Sequence, residues 1–186
     1  MVLAWPAMEH LASYAAALRR GWSPDNVRGA AAARDELARI EHDPTGFVAA
    51  QVDREARGEP VTLPDGSVVA RLPGYRLWMW DGELCGVIGL RWQRGTGALP
   101  PHCLGHVGYS VVPWKRQLGY ASSALRQLLP LAKSEGLPYV DITTDVDNVP
   151  SQRVIEVCGG VLLGEFMKPA AFGGKPGLRF RIDLAR

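Results

Sequence analysis

The chain is poor in cysteine and has no long apolar run. Its three cysteines, Cys85, Cys103 and Cys158, are odd in number and form no CxxC, so they read as free thiols in a reducing compartment. No stretch approaches the ~20 apolar residues that a membrane span requires. The first residues lack a basic opening, and Glu9 and His10 interrupt them early, which makes a poor signal peptide. The expected location is therefore the cytoplasm. Excess charge is missing as well: the formal net charge is +2, too small to argue for nucleic acid, and no run of like charges forms a tail. Internal repeats are absent, and the only low-complexity run is the alanine string at 30–33.

What remains is ordinary globular material. The 186 residues, 47% apolar and 22% charged, suit one domain with a sizeable core. Met8, Leu11, Ala15 and Leu18 recur at helical spacing and predict a helix over 6–20. Ser23-Pro24-Asp25 is a helix start, and Val27, Ala30, Ala31, Leu37 and Ile40 supply an apolar stripe behind it. Asp43-Pro44 repeats the start signal for a short third helix to about Arg54. Val61 and Val69 flank Pro64-Asp65-Gly66-Ser67, a small hairpin. Asp81-Gly82 is the strongest hairpin signal, joining strands over 75–80 and 83–92 that belong near the centre of a covered sheet. A strand over 106–112, a helix kinked at Pro130, a strand over 139–145, a helix opened by Asn148, and strands over 161–167 and 178–183 complete the order. That order predicts an α/β fold: a single three-layer domain around a mixed, mostly antiparallel sheet.

The chain's organising stretch is 106–121. Pro113 ends the strand, Lys115 and Arg116 put two cations in the turn, and Gly119 and Ala121 are small enough for close approach of a ligand. The helix behind them offers unpaired N–H groups and the positive end of its dipole. Strand, turn and helix together read as an anion site of the phosphate-binding kind.

Arg116-Gln117-Leu118-Gly119-Tyr120-Ala121 also resembles the R/Q-x-x-G-x-G/A signature of the GNAT superfamily of N-acetyltransferases, here after a strand ending in Val-Pro. Asn148-Val149-Pro150-Ser151, followed by Val154-Ile155-Glu156 and Gly159-Gly160, is similar to that superfamily's asparagine helix. Within it, these segments look like a group of bacterial predicted acetyltransferases of unassigned substrate. The resemblance implies a GNAT-like α/β/α domain over 1–186, with 1–55 shaping the acceptor side and 75–186 binding acetyl-CoA. It implies a central parallel strand pair that splays to admit the pantetheine arm. Val111 and Val112 would pair with that arm, Lys115, Arg116, Gln117, Leu118, Gly119, Tyr120 and Ala121 would hold the pyrophosphate, and Asn148 and Ser151 would meet the cofactor from the other side. It implies a small-molecule or peptide amine as acceptor and a possible homodimer through the final strands; no metal is expected, on ligand count.

Acetyl transfer to an amine requires loss of an amine proton, stabilisation of the thioester oxygen and departure of a thiolate. A lysine-like amine with pKa ≈ 10.4 is neutral in roughly one molecule in a thousand near pH 7.4. His106 is the candidate base, since histidine titrates near neutrality; the alternative is a histidine hydrogen-bonded at the start of its strand with no catalytic part. The tyrosine that often serves as acid falls on Ile155 here, leaving Tyr109, a water, or positioning alone. Arg91, inside an apolar strand, either pairs with a carboxylate or faces the acceptor cleft. Asn148 can cap its helix and meet the ligand together. His102, Cys103 and His106 lack a fourth ligand for a metal. A non-catalytic domain that binds acyl-CoA as a sensor or partner module is the competing function.

Overall fold

The computed structural model describes residues 1–63 and 65–185. In chain order the elements are β1 (Val2–Ala4), α1 (Met8–Arg19), α2 (Ala30–His42), α3 (Pro44–Ala49), β2 (Val52–Asp53), β3 (Val61–Thr62), β4 (Val68–Val69), β5 (Gly74–Trp80), β6 (Leu84–Arg91), β7 (Val107–Val111), α4 (Tyr120–Ser134), β8 (Tyr139–Asp145), α5 (Val149–Glu156), β9 (Val161–Met167) and β10 (Pro176–Asp183).

Two sheets lie edge to edge. The first runs β1-β5-β6-β7, with β2 pairing β5 beside β1, and the second runs β8-β10-β9; every pairing inside them is antiparallel. β3 and β4 form a separate ribbon whose turn includes Pro64, which lies outside the described residues. β7 and β8 are joined through α4, the connection that parallel neighbours need.

The hydrophobic pattern of each element explains the layers. On one face, Ala124, Leu125, Leu128 and Ala132 of α4 and Ile155 of α5 pack against Leu77, Met79, Ile88, Val107, Ile142 and Phe180. Leu125 and Leu128 are fully buried, each contributing ~1.5–3 kcal/mol of apolar burial. On the other face, Leu11, Tyr14, Ala15 and Leu18 of α1, with Ala33 and Ile40 of α2 and Phe47 of α3, cover Trp78, Leu84, Val87 and Val112. Trp78 is fully buried and stacks on Tyr14, with ring centroids 4.7 Å apart.

Several sequence expectations shift. β1 pairs with β5 through Val2, Leu3 and Ala4, a strand too short to show a period. α2 starts seven residues after Ser23, at Ala30: Asp25 instead closes a turn by accepting from the N–H groups of Val27 (2.7 Å) and Arg28 (2.9 Å). Asp43 does cap α3, accepting from Gly46 N–H at 2.8 Å. α4 runs continuously helical through Pro130. Arg91 is exposed rather than buried, because it ends β6 on the face turned away from α4.

Candidate active site

The register between β6 and β7 decides which backbone groups are free. Arg91 N–H donates to His106 C=O at 2.9 Å and Val112 N–H donates to Cys85 C=O at 2.9 Å, with continuous pairing between. Because strand groups alternate, Gly108 and Ser110 also turn toward β6, while Val107, Tyr109 and Val111 turn their N–H and C=O groups toward β8. Among the described residues β8 answers at one point, the His106–Asp141 pair. His106 N–H donates to Asp141 C=O at 2.7 Å, and Asp141 N–H donates to His106 Nδ1 at 2.9 Å. Past this link no ladder joins β7 to β8 among the described residues. Tyr109 and Val111 therefore face Thr143 and Asp145 across parted edges, the splay that the resemblance implied.

This arrangement bears on two expected roles. Val112 is not on the open edge: its N–H is taken by Cys85, its C=O accepts from Lys115 N–H at 3.0 Å, and its side chain is buried under α1. The edge turned away from β6 is formed by Tyr109 and Val111 instead. His106 is fully buried, and its Nδ1 lone pair is committed to Asp141 N–H. Its proton then sits on Nε2, on the side of the Gly97 carbonyl, where no hydrogen bond of good geometry closes. Burial pushes the imidazole below its ordinary pKa, opposed in part by the Asp141 carboxylate and by hydrogen bonding. A neutral ring with its only lone pair occupied is poorly placed to take a proton from an amine.

The turn after β7 is shaped by backbone torsions. Pro113–Lys115 makes a single 3-10 turn, Arg116 is extended, and Gln117 (φ 63°) and Gly119 (φ 76°) are both left-handed. A left-handed glutamine is uncommon and costs ~1–2 kcal/mol. The first helical bond of α4 runs from Ser123 N–H to Gly119 C=O at 3.0 Å, so the N–H groups of 120–122 have no intrahelical acceptor. Arg116 Nε leans back to Val111 C=O at 3.3 Å. Leu118 is exposed. Lys115 is already engaged: its Nζ meets Asp81 at 2.9 and 3.1 Å and Glu83 at 2.9 Å. Tyr120 Oη donates to Asp81 at 2.6 Å. Asp81, in the β5–β6 turn, thus anchors both ends of the phosphate-type turn, and the Tyr120 hydroxyl and the Lys115 ammonium hold its carboxyl far below the usual range.

α5 closes the same side. The Asn148 side chain caps the helix, accepting from Ser151 N–H at 3.2 Å. The Ser151 and Tyr109 hydroxyls lie 2.7 Å apart, linking β7 to α5 across the mouth of the gap. Burial raises the Tyr109 phenol to about 12, so it stays protonated at neutral pH. Ile155 is fully buried in the core beside α4. From the opposite side, the α1–α2 loop lies over the gap, where Asn26 Nδ2 donates to Tyr109 C=O at 3.2 Å. Trp22 Nε1 donates to Ser110 Oγ at 2.9 Å, and Ser110 Oγ donates to Ser23 C=O at 3.0 Å.

The sequence reading did not single out Asp81 or Asn26 for the site. Asp81 was legible only as half of a turn signal, and Asn26 sits in a stretch that reads as helix.

The sheet thus opens between parallel strands, with an amide-lined turn beside the opening. Residues 20–161 match the acetyltransferase (GNAT) domain family, and the chain belongs to this family. No curated protein matches its sequence. Among solved structures, the microcin C7 self-immunity acetyltransferase MccE, in complex with acetyl-CoA and AMP, aligns at 14% identity with a TM-score of 0.62, over 97% of this chain and 91% of that one. RimL, a ribosomal L7/L12 alpha-N-protein acetyltransferase in complex with coenzyme A, aligns at 12% identity with a TM-score of 0.62, over 98% of this chain and 93% of that one. These likenesses establish the α/β fold with its mixed, mostly antiparallel architecture. No helix among the described residues is long and apolar enough to cross a membrane.

Proposed function

We propose that this chain is an N-acetyltransferase that moves an acetyl group from acetyl-CoA to a primary amine of a small molecule or peptide. The observation that carries the reading is the pair of parted edges, with Tyr109 and Val111 turned into the gap beside the unpaired N–H groups that open α4. Acetyl-CoA supplies an activated thioester. Val111 and Tyr109 offer N–H groups to the pantetheine arm and to the oxygen that gains charge, a placed donor of this kind contributing ~10²–10³-fold. Gln117, Leu118, Gly119, Tyr120 and Ala121 present backbone N–H groups to the pyrophosphate, with the Arg116 guanidinium beside them. Lys115 acts indirectly, neutralised by Asp81 and Glu83 while it fixes the turn. Asn148 holds the start of α5 against the cofactor, and Ser151 contacts it there.

In the transfer, a bond forms from the amine nitrogen to the acetyl carbon and the carbon–sulfur bond breaks. The nitrogen's proton leaves to water on the acceptor face, and the departing thiolate accepts a hydrogen bond from the Ser151–Tyr109 hydroxyl pair and takes its proton from water. A thiol of pKa ≈ 8.5 is a stronger acid than the Tyr109 phenol, so the pair steadies the thiolate without giving up its own proton. His106 is assigned as the pin that closes the splay at its base, not as the proton acceptor.

Thermal unfolding with and without acetyl-CoA is the first test, since a ligand at 100 times its Kd stabilises by about 2.7 kcal/mol. No shift at near-millimolar acetyl-CoA refutes the cofactor site. CoA release across a panel of amines then distinguishes an enzyme from a binding module that uses the same fold without turnover.

A further inference from the structure

The proposed cofactor lies on the α4/α5 side of the gap, which leaves the opposite face for the acceptor. Strand register orders that face. Arg76 stands opposite Gly89, Gly89 opposite Gly108, and Thr143 opposite Arg179. The His106–Asp141 link aligns the two sheets and brings Gly108 beside Thr143 across the gap. One row therefore runs Arg76, Gly89, Gly108, gap, Thr143, Arg179, with no side chain on its second and third residues. The Arg91 guanidinium lies over Gly108, its Nη2 3.1 Å from where a Cβ would stand.

The charges on this face mostly cancel. Arg76 pairs with Glu36 at 2.7 Å, Arg181 grips Asp141 through Nε (2.7 Å) and Nη2 (2.9 Å), and Lys168 pairs with Asp145. Arg91 and Arg179 are left over, and neither meets a carboxylate among the described residues. Arg179 is the more telling. Its Nε is buried with no hydrogen-bond partner, and its guanidinium lies 4.8 Å from the centre of the Phe166 ring. A buried N–H without an acceptor is costly to keep. A guanidinium steadied by an aromatic face is preorganised for a planar or tetrahedral anion. Arg91 stands on the other wall, about three strand spacings away, roughly 15 Å between backbones.

We propose that the acceptor is a small primary amine that itself carries a compact anion, a carboxylate or a phosphate, bound by Arg179 with Arg91 facing it across the glycine floor. This rests on the acetyl-CoA reading above and narrows its acceptor. The test is calorimetric titration in the presence of saturating CoA, which occupies the cofactor site without transfer. Matched probes are phosphoethanolamine against ethanolamine, and 4-aminobutyrate against butylamine; the two pairs separate phosphate from carboxylate. At least one anionic member is expected to bind tenfold or more tightly than its neutral partner. R179Q is expected to erase that preference, R179K to restore part of it, and R91Q to weaken it several-fold, all with CoA affinity within twofold of the parent. Anionic members that bind no better than neutral ones, no binding by any probe, or a preference that survives in R179Q overturns the proposal. A first titration with CoA alone is read separately: its failure refutes the cofactor site, and this inference with it.

Discussion

Replacing His106 separates a structural pin from a general base. The side chain is fully buried and accepts from Asp141 N–H at 2.9 Å. His106→Ala removes that acceptor, leaving a buried N–H unpaired at a cost of ~1–3 kcal/mol. It also leaves a void where the ring was, and large-to-small changes in cores typically cost ~2–5 kcal/mol. The combined loss is a large part of the ~5–15 kcal/mol that a domain commonly has. His106→Asn keeps an acceptor oxygen and is expected to fall between the parent and the alanine variant in denaturant titration. pH gives a second reading. Burial lowers the folded pKa below the unfolded value near 6.5, so the folded state keeps the ring neutral while the unfolded state takes up a proton. Stability from this group is fully present above about pH 6.5 and is lost as pH falls toward the folded pKa, with a slope of at most about 1.4 kcal/mol per pH unit. His106→Asn should lack this slope component. Its turnover at saturating acetyl-CoA and neutral pH should remain within a few-fold of the parent. A variant as stable as the parent whose turnover falls ~10²–10⁴-fold would refute the pin and restore the base.

Other consequences are smaller. Gly119→Ala places a side chain where nothing stands within 4 Å, so its cost is torsional, ~1–2 kcal/mol from φ 76°, and acetyl-CoA affinity should fall with it; unchanged affinity by calorimetry would remove this turn from the phosphate site. Asp81→Asn breaks the Asp81 ion pair, leaving Lys115 to Glu83 alone, weakens the bond from Tyr120, and should weaken acetyl-CoA binding several-fold. Because the Asp81 pKa is depressed, its contribution is present above the unfolded value near pH 4 and lost below it, so the variant's acid unfolding should begin less steeply. Ser151→Ala removes a hydrogen bond to the departing thiolate and should lower kcat about ten- to hundredfold, and equal kcat would show that the thiolate does not lean on this hydroxyl.

Much of this was written in local signals. Asp81-Gly82 marks the β5–β6 hairpin because a tight turn, here over 81–83, needs glycine's positive φ (110° at Gly82), and β6 does sit inside its sheet. Asp43-Pro44 and Asn148-Val149-Pro150 mark helix starts because their side chains cap, as both do. Arg116 to Ala121 was legible as an anion turn because glycine and the small residues leave a bare, curled backbone. What the pattern could not carry is register. Whether Val111 or Val112 faces the gap depends on one hydrogen bond from Val112 to Cys85, a non-local fact. Whether His106 has a free lone pair depends on Asp141, 35 residues away. The late start of α2 depends on Asp25 turning back on its own backbone, a competition between turn and helix that Ser23-Pro24-Asp25 does not decide alone.

Amide hydrogen exchange with and without acetyl-CoA tests the central claim most directly, because it reads the backbone groups on which the site rests. Bound acetyl-CoA should slow exchange at Tyr109 and Val111 and across 117–122, with Val112 protected in both states by its bond to Cys85. Protection that appears elsewhere, with Tyr109 and Val111 unchanged, would contradict a cofactor held in the parted edges of β7 and β8.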